Sequence, residues 1–294
     1  LSLPPWKAVL AAAWAILFLF QGPVYYHLVL CAGFVLLGFD RRRPLRTLGV
    51  VLGASIWAGL SRINWYPVPG VMALLLYLLE ETRGQRSLLR YLLPPALWVV
   101  GGTLTAFVAN AIYIAISGNP PEVFGSALSS PLLWDRLFPT VTYPQGIIPA
   151  SALVFLPVIF LFGARLLLSG ARWNWLRWLG LTGVLAAFYA AGLVVSVKVG
   201  GGSNLHNLDN FIVLLAVAAL YAWFGAFTPD SPGQAHRGSP LLSAALLVVA
   251  LLPVLQPLGE LAPPLKFKRT PAEETALLAK LQTLLDSARG QGPV

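Results

Sequence analysis

Charge is scarce in this sequence. Asp, Glu, Lys and Arg make up 11% of its 294 residues, against 57% hydrophobic residues and a mean hydropathy of +0.74. A water-soluble domain typically has about 25% charged and about 45–50% apolar residues, so that class is excluded and the expected solvent is a lipid bilayer. Cysteine is nearly absent: Cys31 stands alone in an apolar run. An internal disulfide framework and a thiolate metal cluster are therefore excluded. Acids are the scarcer sign, 11 against 20 basic residues, for a net charge of +9. In a soluble chain that excess would suggest nucleic acid. Here the basic residues fall in short loops between apolar runs, where membrane topology explains them and no nucleic-acid partner is implied.

What is present is a succession of apolar stretches, at about 6–20, 24–39, 47–62, 67–80, 91–117, 147–169, 178–198, 208–227 and 239–257. A full crossing needs about 20 residues, so the short early stretches are expected to tilt, kink or thin the bilayer locally. The expected fold is all-α: a polytopic transmembrane helical bundle of about nine segments, residues 1–257, with short outer-face loops. Residues 258–294 form a proline-rich linker and an amphipathic helix. In the helix Thr270 can cap, Pro271 suits the first turn, and Leu277, Leu278, Leu281, Leu284 and Leu285 share an apolar face. That segment is expected on the outer membrane surface or as the start of an external soluble domain.

Basic residues alternate between the two sets of loops. One set holds Lys7, Arg41, Arg42, Arg43, Arg46, Arg83, Arg86, Arg90, Arg165, Arg172, Arg177 and Arg237; the short loops of the other hold Arg62, Arg136 and Lys198. Cytoplasmic loops are enriched in Lys and Arg, so the chain is expected in the cell membrane with the first set cytoplasmic. The other set, with the C-terminal tail, is then external. Its loops mix Trp, Tyr, His, Asn and single charges, as in "SRINWYPVPG" at 61–70 and "KVGGGSNLHNLDN" at 198–210.

The second of these stretches has two readings. Three glycines let the backbone adopt positive φ and present N–H groups to an anion, with Lys198 as a point charge and Asn204, His206, Asn207 and Asp209 as donors, acceptors and a base. Against this, Gly-Gly-Ser-Asn is ordinary turn composition, Lys198 can snorkel to the interface, and Asp209 can cap the helix that follows. Arg62 likewise calls for a partner, because charge beside the membrane is costly. A lipid phosphate or an acid, Asp135 or Asp209, would serve. Trp65 and Tyr66 fit an interfacial aromatic belt or, beside Arg62 and Asn64, faces on which a sugar stacks.

An outer-face arginine in "SRINWYPVPG", a long outer loop, and a span ending in Lys-x-Gly-Gly-Gly-Ser-Asn together resemble the integral-membrane glycosyltransferases of the GT-C superfamily, similar to the bacterial mannosyl- and aminoarabinosyltransferases. The resemblance covers roughly residues 1–257. It implies transfer of a sugar from a polyprenyl-phosphate donor to an acceptor at the outer face. Arg62 and Lys198 would neutralise the phosphate, and Gly201 would bring the backbone close to it. Asn64, Trp65, Tyr66, Asn204, His206 and Asn207 would hold donor oxygens or the sugar, with Asp209 as the catalytic base. Such enzymes carry their principal acids in the first large outer loop, whereas no acid here precedes Asp40. With a start at Leu1, the expectation is an N-terminally truncated fragment whose activity depends on what lies upstream. A divalent metal is compatible with this chemistry, but one aspartate and one histidine do not argue for it. The donor lipid and the surrounding membrane lipid are the expected partners. The alternative is a secondary transporter or flippase, which would place polar groups near the midplane. Asn110 is the main polar residue inside a long span, and an asparagine there commonly bonds a neighbouring helix.

Overall fold

The computed structural model describes residues 4–22, 24–120, 130–141, 144–168, 173–199, 205–227, 240–261 and 271–288. Among them are ten α-helices and no strand: α1 Pro5–Leu19, α2 Tyr26–Gly38, α3 Pro44–Gly59, α4 Val68–Glu80, α5 Leu88–Ser117, α6 Ile147–Leu168, α7 Trp175–Val199, α8 Asp209–Trp223, α9 Pro240–Leu261 and α10 Pro271–Ala288. Short 3-10 turns, Ile63–Trp65, Trp134–Leu137 and His206–Leu208, lie in three of the connections. Helices α1–α9 fall on the nine apolar stretches. By length and composition four segments can cross a membrane: Leu88–Ser117, Ile147–Leu168, Trp175–Lys198 and His206–Trp223. Pro5–Leu19, Tyr26–Gly38 and Ala244–Leu255 are apolar but shorter.

The chain divides into two compact units, Leu1–Pro257 and Leu258–Val294. In the second, the five leucines of the amphipathic face of α10 are all exposed. In the first, local sequence sets the helix limits. Proline occupies the first turn of α1, α3 and α4, where its missing N–H would have had no partner anyway. Ser87 Oγ caps α5 by accepting from the Arg90 N–H at 3.4 Å. Gly118, at φ +70°, ends the same helix in the left-handed conformation.

Two short helices form the centre. Along α4 every residue from Val68 to Leu79 except Leu74 is buried, and α8 is buried from Asp209 through Ala219. Other helices wrap them: α2, α3, α5 and α7 against α4, and α1, α6 and α7 against α8. Close backbone approach is set by glycine, since a Cβ at Gly59 would fall on the Ala106 carbonyl of α5 and one at Gly70 on that of Trp98. Small residues at such crossings are how helices associate where lipid removes the hydrophobic drive. The outward faces remain apolar, with Leu89, Leu97, Phe107, Ile112 and Ile116 of α5 and Leu156 and Phe160 of α6 exposed. Soluble monomers rarely expose such continuous apolar surface.

The loops gather at two opposite ends of this unit. At one end Arg41 bonds the Glu80 carbonyl, Tyr91 Oη the Glu81 carbonyl, and Arg177 the carbonyls of Leu78 and Leu79, while Arg165 bonds that of Trp223. At the other, Tyr25 meets Trp65, Trp65 meets Asp209, and the Leu133 N–H bonds the Val197 carbonyl. The basic set described above falls at the first end where its residues are described; Arg172 and Arg237 lie outside the described residues. Arg62, Arg136 and Lys198 fall at the second.

Candidate functional site

The second end is organised by the connection between α3 and α4. Arg62 follows the last turn of α3 with extended backbone, φ −151° and ψ 139°, its N–H still bonded to the Ala58 carbonyl. The chain then closes the turn Ile63–Trp65, with the Trp65 N–H on the Arg62 carbonyl at 3.0 Å. Pro67 and Pro69 start α4 directly afterwards. This tight path puts the Arg62 guanidinium over two aromatic rings, Tyr25 at 4.8 Å and Trp65 at 5.7 Å from their centroids. Each such contact stabilises by about 0.5–2 kcal/mol depending on desolvation.

Trp65 ties this loop to α8. Its indole Nε1–H donates to Asp209 Oδ2 at 2.8 Å, Asp209 Oδ1 accepts from the Asn210 backbone N–H at 2.8 Å, and Asn210 Nδ2 donates to the Asn64 carbonyl at 2.7 Å. Asp209 is completely buried. Asp209 Oδ2 and the Asn210 side-chain amide thus fasten the Arg62 loop to the first turn of α8. The Arg62 guanidinium lies within electrostatic reach of both the Asp209 carboxylate and the half-buried His206 ring, yet among the described residues it makes no ion pair and no hydrogen bond. Its Nη1 is buried without a partner, as are Asn64 Nδ2 and Asn210 Oδ1. A buried polar group left so costs about 1–3 kcal/mol, and each of these atoms is open to a bond from water or a ligand.

The residues expected at the site are placed as follows. Arg62, Asn64, Trp65, His206 and Asp209 come together, and Asn207 is buried in the adjoining turn with its carbonyl against Gly192 of α7. Trp65 and Tyr66 are 1% and 6% exposed. Neither ring offers an open face to a sugar: Trp65 is sealed between Tyr25, Arg62 and Asp209 because its N–H serves the carboxylate. Asp209, expected as a base, has no free surface, and both of its oxygens accept hydrogen bonds. Lys198 sits half-buried in the last turn of α7 at the same end. Gly201 and Asn204 lie outside the described residues. Tyr25 joins the cluster through Arg62 and Trp65, and Asn210 completes it without having been singled out. Asn210 carried a signal, a second polar residue directly after the acid at the head of an apolar run.

Among the described residues no group of three or more His, Cys, Asp or Glu could hold a metal ion. The chain matches no family model, no curated protein and no solved structure. The functional reading therefore rests on the geometry.

Proposed function

We propose that this chain is a membrane-embedded glycosyltransferase of the GT-C kind, and that its Arg62 cluster receives the phosphate of a polyprenyl-phosphate sugar. The observation that carries this is the Arg62 guanidinium: a permanent cation at one end of an apolar helical bundle, held by two aromatic rings, with a buried nitrogen that has no hydrogen-bond partner among the described residues. A guanidinium in a fixed position pairs with phosphate oxygens through parallel N–H bonds. In the transfer, the bond from the anomeric carbon to the phosphate oxygen breaks and a bond from that carbon to the acceptor forms. The acceptor's proton leaves to a base, and negative charge grows on the departing phosphate. A fixed cation in a water-poor site stabilises that charge. Asp209 contributes by holding Trp65, and through it the arginine, in position. The end rich in arginine faces the cytoplasm and the Arg62 end faces outward, following the bias of basic loops.

Binding of decaprenyl monophosphate to the protein in nanodiscs tests the reading. Arg62→Gln, which keeps an uncharged polar side chain, is expected to weaken binding by roughly 10²-fold, the scale set by loss of one strong electrostatic stabiliser. Arg62→Lys should recover part of it, since a point charge does not reproduce the planar fork. Parent-like binding by Arg62→Gln overturns the proposal. The orientation is tested separately with single cysteines at Ser61 and Ser87 in a Cys31→Ala background: impermeant maleimide added outside cells should label the first only.

A further inference from the structure

Three buried polar atoms in the Arg62 cluster have no partner, and they differ in kind. Arg62 Nη1 and Asn64 Nδ2 donate; Asn210 Oδ1 accepts. The orientation of the Asn210 carboxamide is fixed, because its nitrogen is bonded to the Asn64 backbone carbonyl at 2.7 Å and a carbonyl takes only a donor. Its oxygen must therefore face away from that bond. Asn210 is 8% exposed, so water at the open surface does not serve it. The same bond brings the Asn210 side chain onto the Asn64 backbone, so the unpaired donor and the unpaired acceptor belong to two residues in contact, with Arg62 two residues before Asn64 in one tight turn.

Donor and acceptor together select a chemistry. A phosphate oxygen satisfies Asn64 Nδ2 but can only repel Asn210 Oδ1, because an ionised phosphate ester offers acceptors alone. A hydroxyl satisfies both, donating its O–H to Asn210 Oδ1 while a lone pair accepts from Asn64 Nδ2. The guanidinium, with donors only, has the opposite preference. We propose that Asn64 and Asn210 form a hydroxyl-reading subsite beside Arg62. It takes a sugar hydroxyl of the lipid-linked donor while Arg62 takes the phosphate, so that the cluster fixes which way round the head group lies. This rests on the reading of Arg62 as the phosphate site and goes beyond it in assigning the sugar end. Sites whose buried polar groups are completed by a substrate hydroxyl reject analogues lacking it far more strongly than apolar pockets reject a missing methylene.

Asn64→Ala is the clean variant, since it removes Nδ2 and leaves the Asn64 backbone carbonyl that holds Asn210. Binding of decaprenyl monophosphate and of decaprenyl-phosphate mannose, glucose and 4-amino-arabinose would be measured in nanodiscs for the parent, Asn64→Ala and Arg62→Gln, with thermal unfolding recorded for each. The parent is expected to bind at least one sugar-bearing lipid more tightly than decaprenyl monophosphate. Asn64→Ala should lose that preference, weakening the favoured sugar-lipid by roughly tenfold, the equivalent of one hydrogen bond. It should bind decaprenyl monophosphate as the parent does. Arg62→Gln should weaken all of these ligands. If Arg62→Gln weakens all of them while Asn64→Ala changes sugar-bearing and sugar-free lipids equally, or leaves both unchanged, the hydroxyl subsite is overturned and the phosphate site stands. A parent that binds no sugar-bearing lipid in preference to decaprenyl monophosphate overturns the subsite as well. If Arg62→Gln binds every ligand like the parent, the phosphate reading fails and the subsite falls with it.

Discussion

Two arginines at opposite ends of the first unit, Arg177 and Arg62, are held in opposite ways. At the arginine-rich end, cations complete a helix. The last carbonyls of α4 have no partner within the helix, and three neighbours supply donors: Arg177 Nε to Leu78 at 2.7 Å and Nη2 to Leu79 at 3.0 Å, Arg41 to Glu80, and Tyr91 Oη to Glu81 at 3.0 Å. Tyr221 Oη adds a bond to Glu80 Oε1 at 2.8 Å, and Arg41 lies 3.8 Å from Glu81. Positive charge at a helix C-terminus is also favoured by the helix dipole. At the other end the Arg62 guanidinium has aromatic faces and, among the described residues, no hydrogen bond. The contrast separates a cation used to hold a helix from one held ready by the fold. If that distinction is right, changes at the two ends will separate stability from binding.

The largest effect on stability is expected from Arg177→Leu. The side chain is completely buried, stacked 4.1 Å from the Trp173 ring, and bonded to two carbonyls of the central helix. Removing it leaves those carbonyls without their donors, at about 1–3 kcal/mol each, in a helix that the surrounding helices pack against. A large drop in the detergent unfolding midpoint, or failure to accumulate folded protein, is the expected outcome. A variant as stable as the parent would show that this end is not the structural one.

Asp209→Ala should come next. It leaves the Trp65 indole N–H and the Asn210 backbone N–H without their acceptor and releases the Arg62 loop from α8. The loss is about 2–4 kcal/mol, from two buried groups at the lower part of the range for an unmade bond. Asp209→Asn keeps one oxygen as acceptor and should recover about half. The same pair sharpens the assignment of Asp209 as an anchor: ligand binding should recover with stability in Asp209→Asn. A base would instead leave Asn as inactive in transfer as Ala while stability returned.

How much of this was legible beforehand depends on the kind of contact. Helix positions followed from apolar runs broken by proline, glycine and arginine, so α1 through α9 were readable to within a few residues. The separation of basic residues into two sets was readable too, since it needs only alternation. Which helices sit at the centre was not. The outward faces are as apolar as the core, so α4 and α5 look alike in sequence although one is enclosed and the other has an exposed flank. Arg177 was assigned to an anchoring loop on charge alone, whereas the fold draws it inside to cap a helix ending about 100 positions earlier. The bond from Trp65 to Asp209 spans 144 positions; an aromatic and an acid each have several commoner explanations until the chain folds them together. Arg62 was singled out because a lone cation on the poorer side called for a partner; among the described residues the fold gives it two aromatic faces and no hydrogen-bonding partner for Nη1.

The smallest effect on stability is expected at Arg62, and it is the most informative. Arg62→Gln removes contacts with Tyr25 and Trp65, at about 0.5–2 kcal/mol each, but it also removes a buried charged nitrogen that bonds to nothing, whose desolvation opposes folding by a comparable amount. The two terms offset, so unfolding in detergent should shift by no more than about 1 kcal/mol, the middle of the range for point substitutions in general. Arg177→Leu, also a loss of one guanidinium beside an indole, should be severe in the same assay. The difference between the two arginines is whether their N–H groups are bonded within the protein, since both rest against a tryptophan ring. Unfolding of Arg62→Gln as deep as that of Arg177→Leu would mean that Arg62 is structural too, and the two ends would then be alike. A parent-like midpoint together with lost phosphate binding would place the function of Arg62 outside the chain's own contacts, in the ligand it meets.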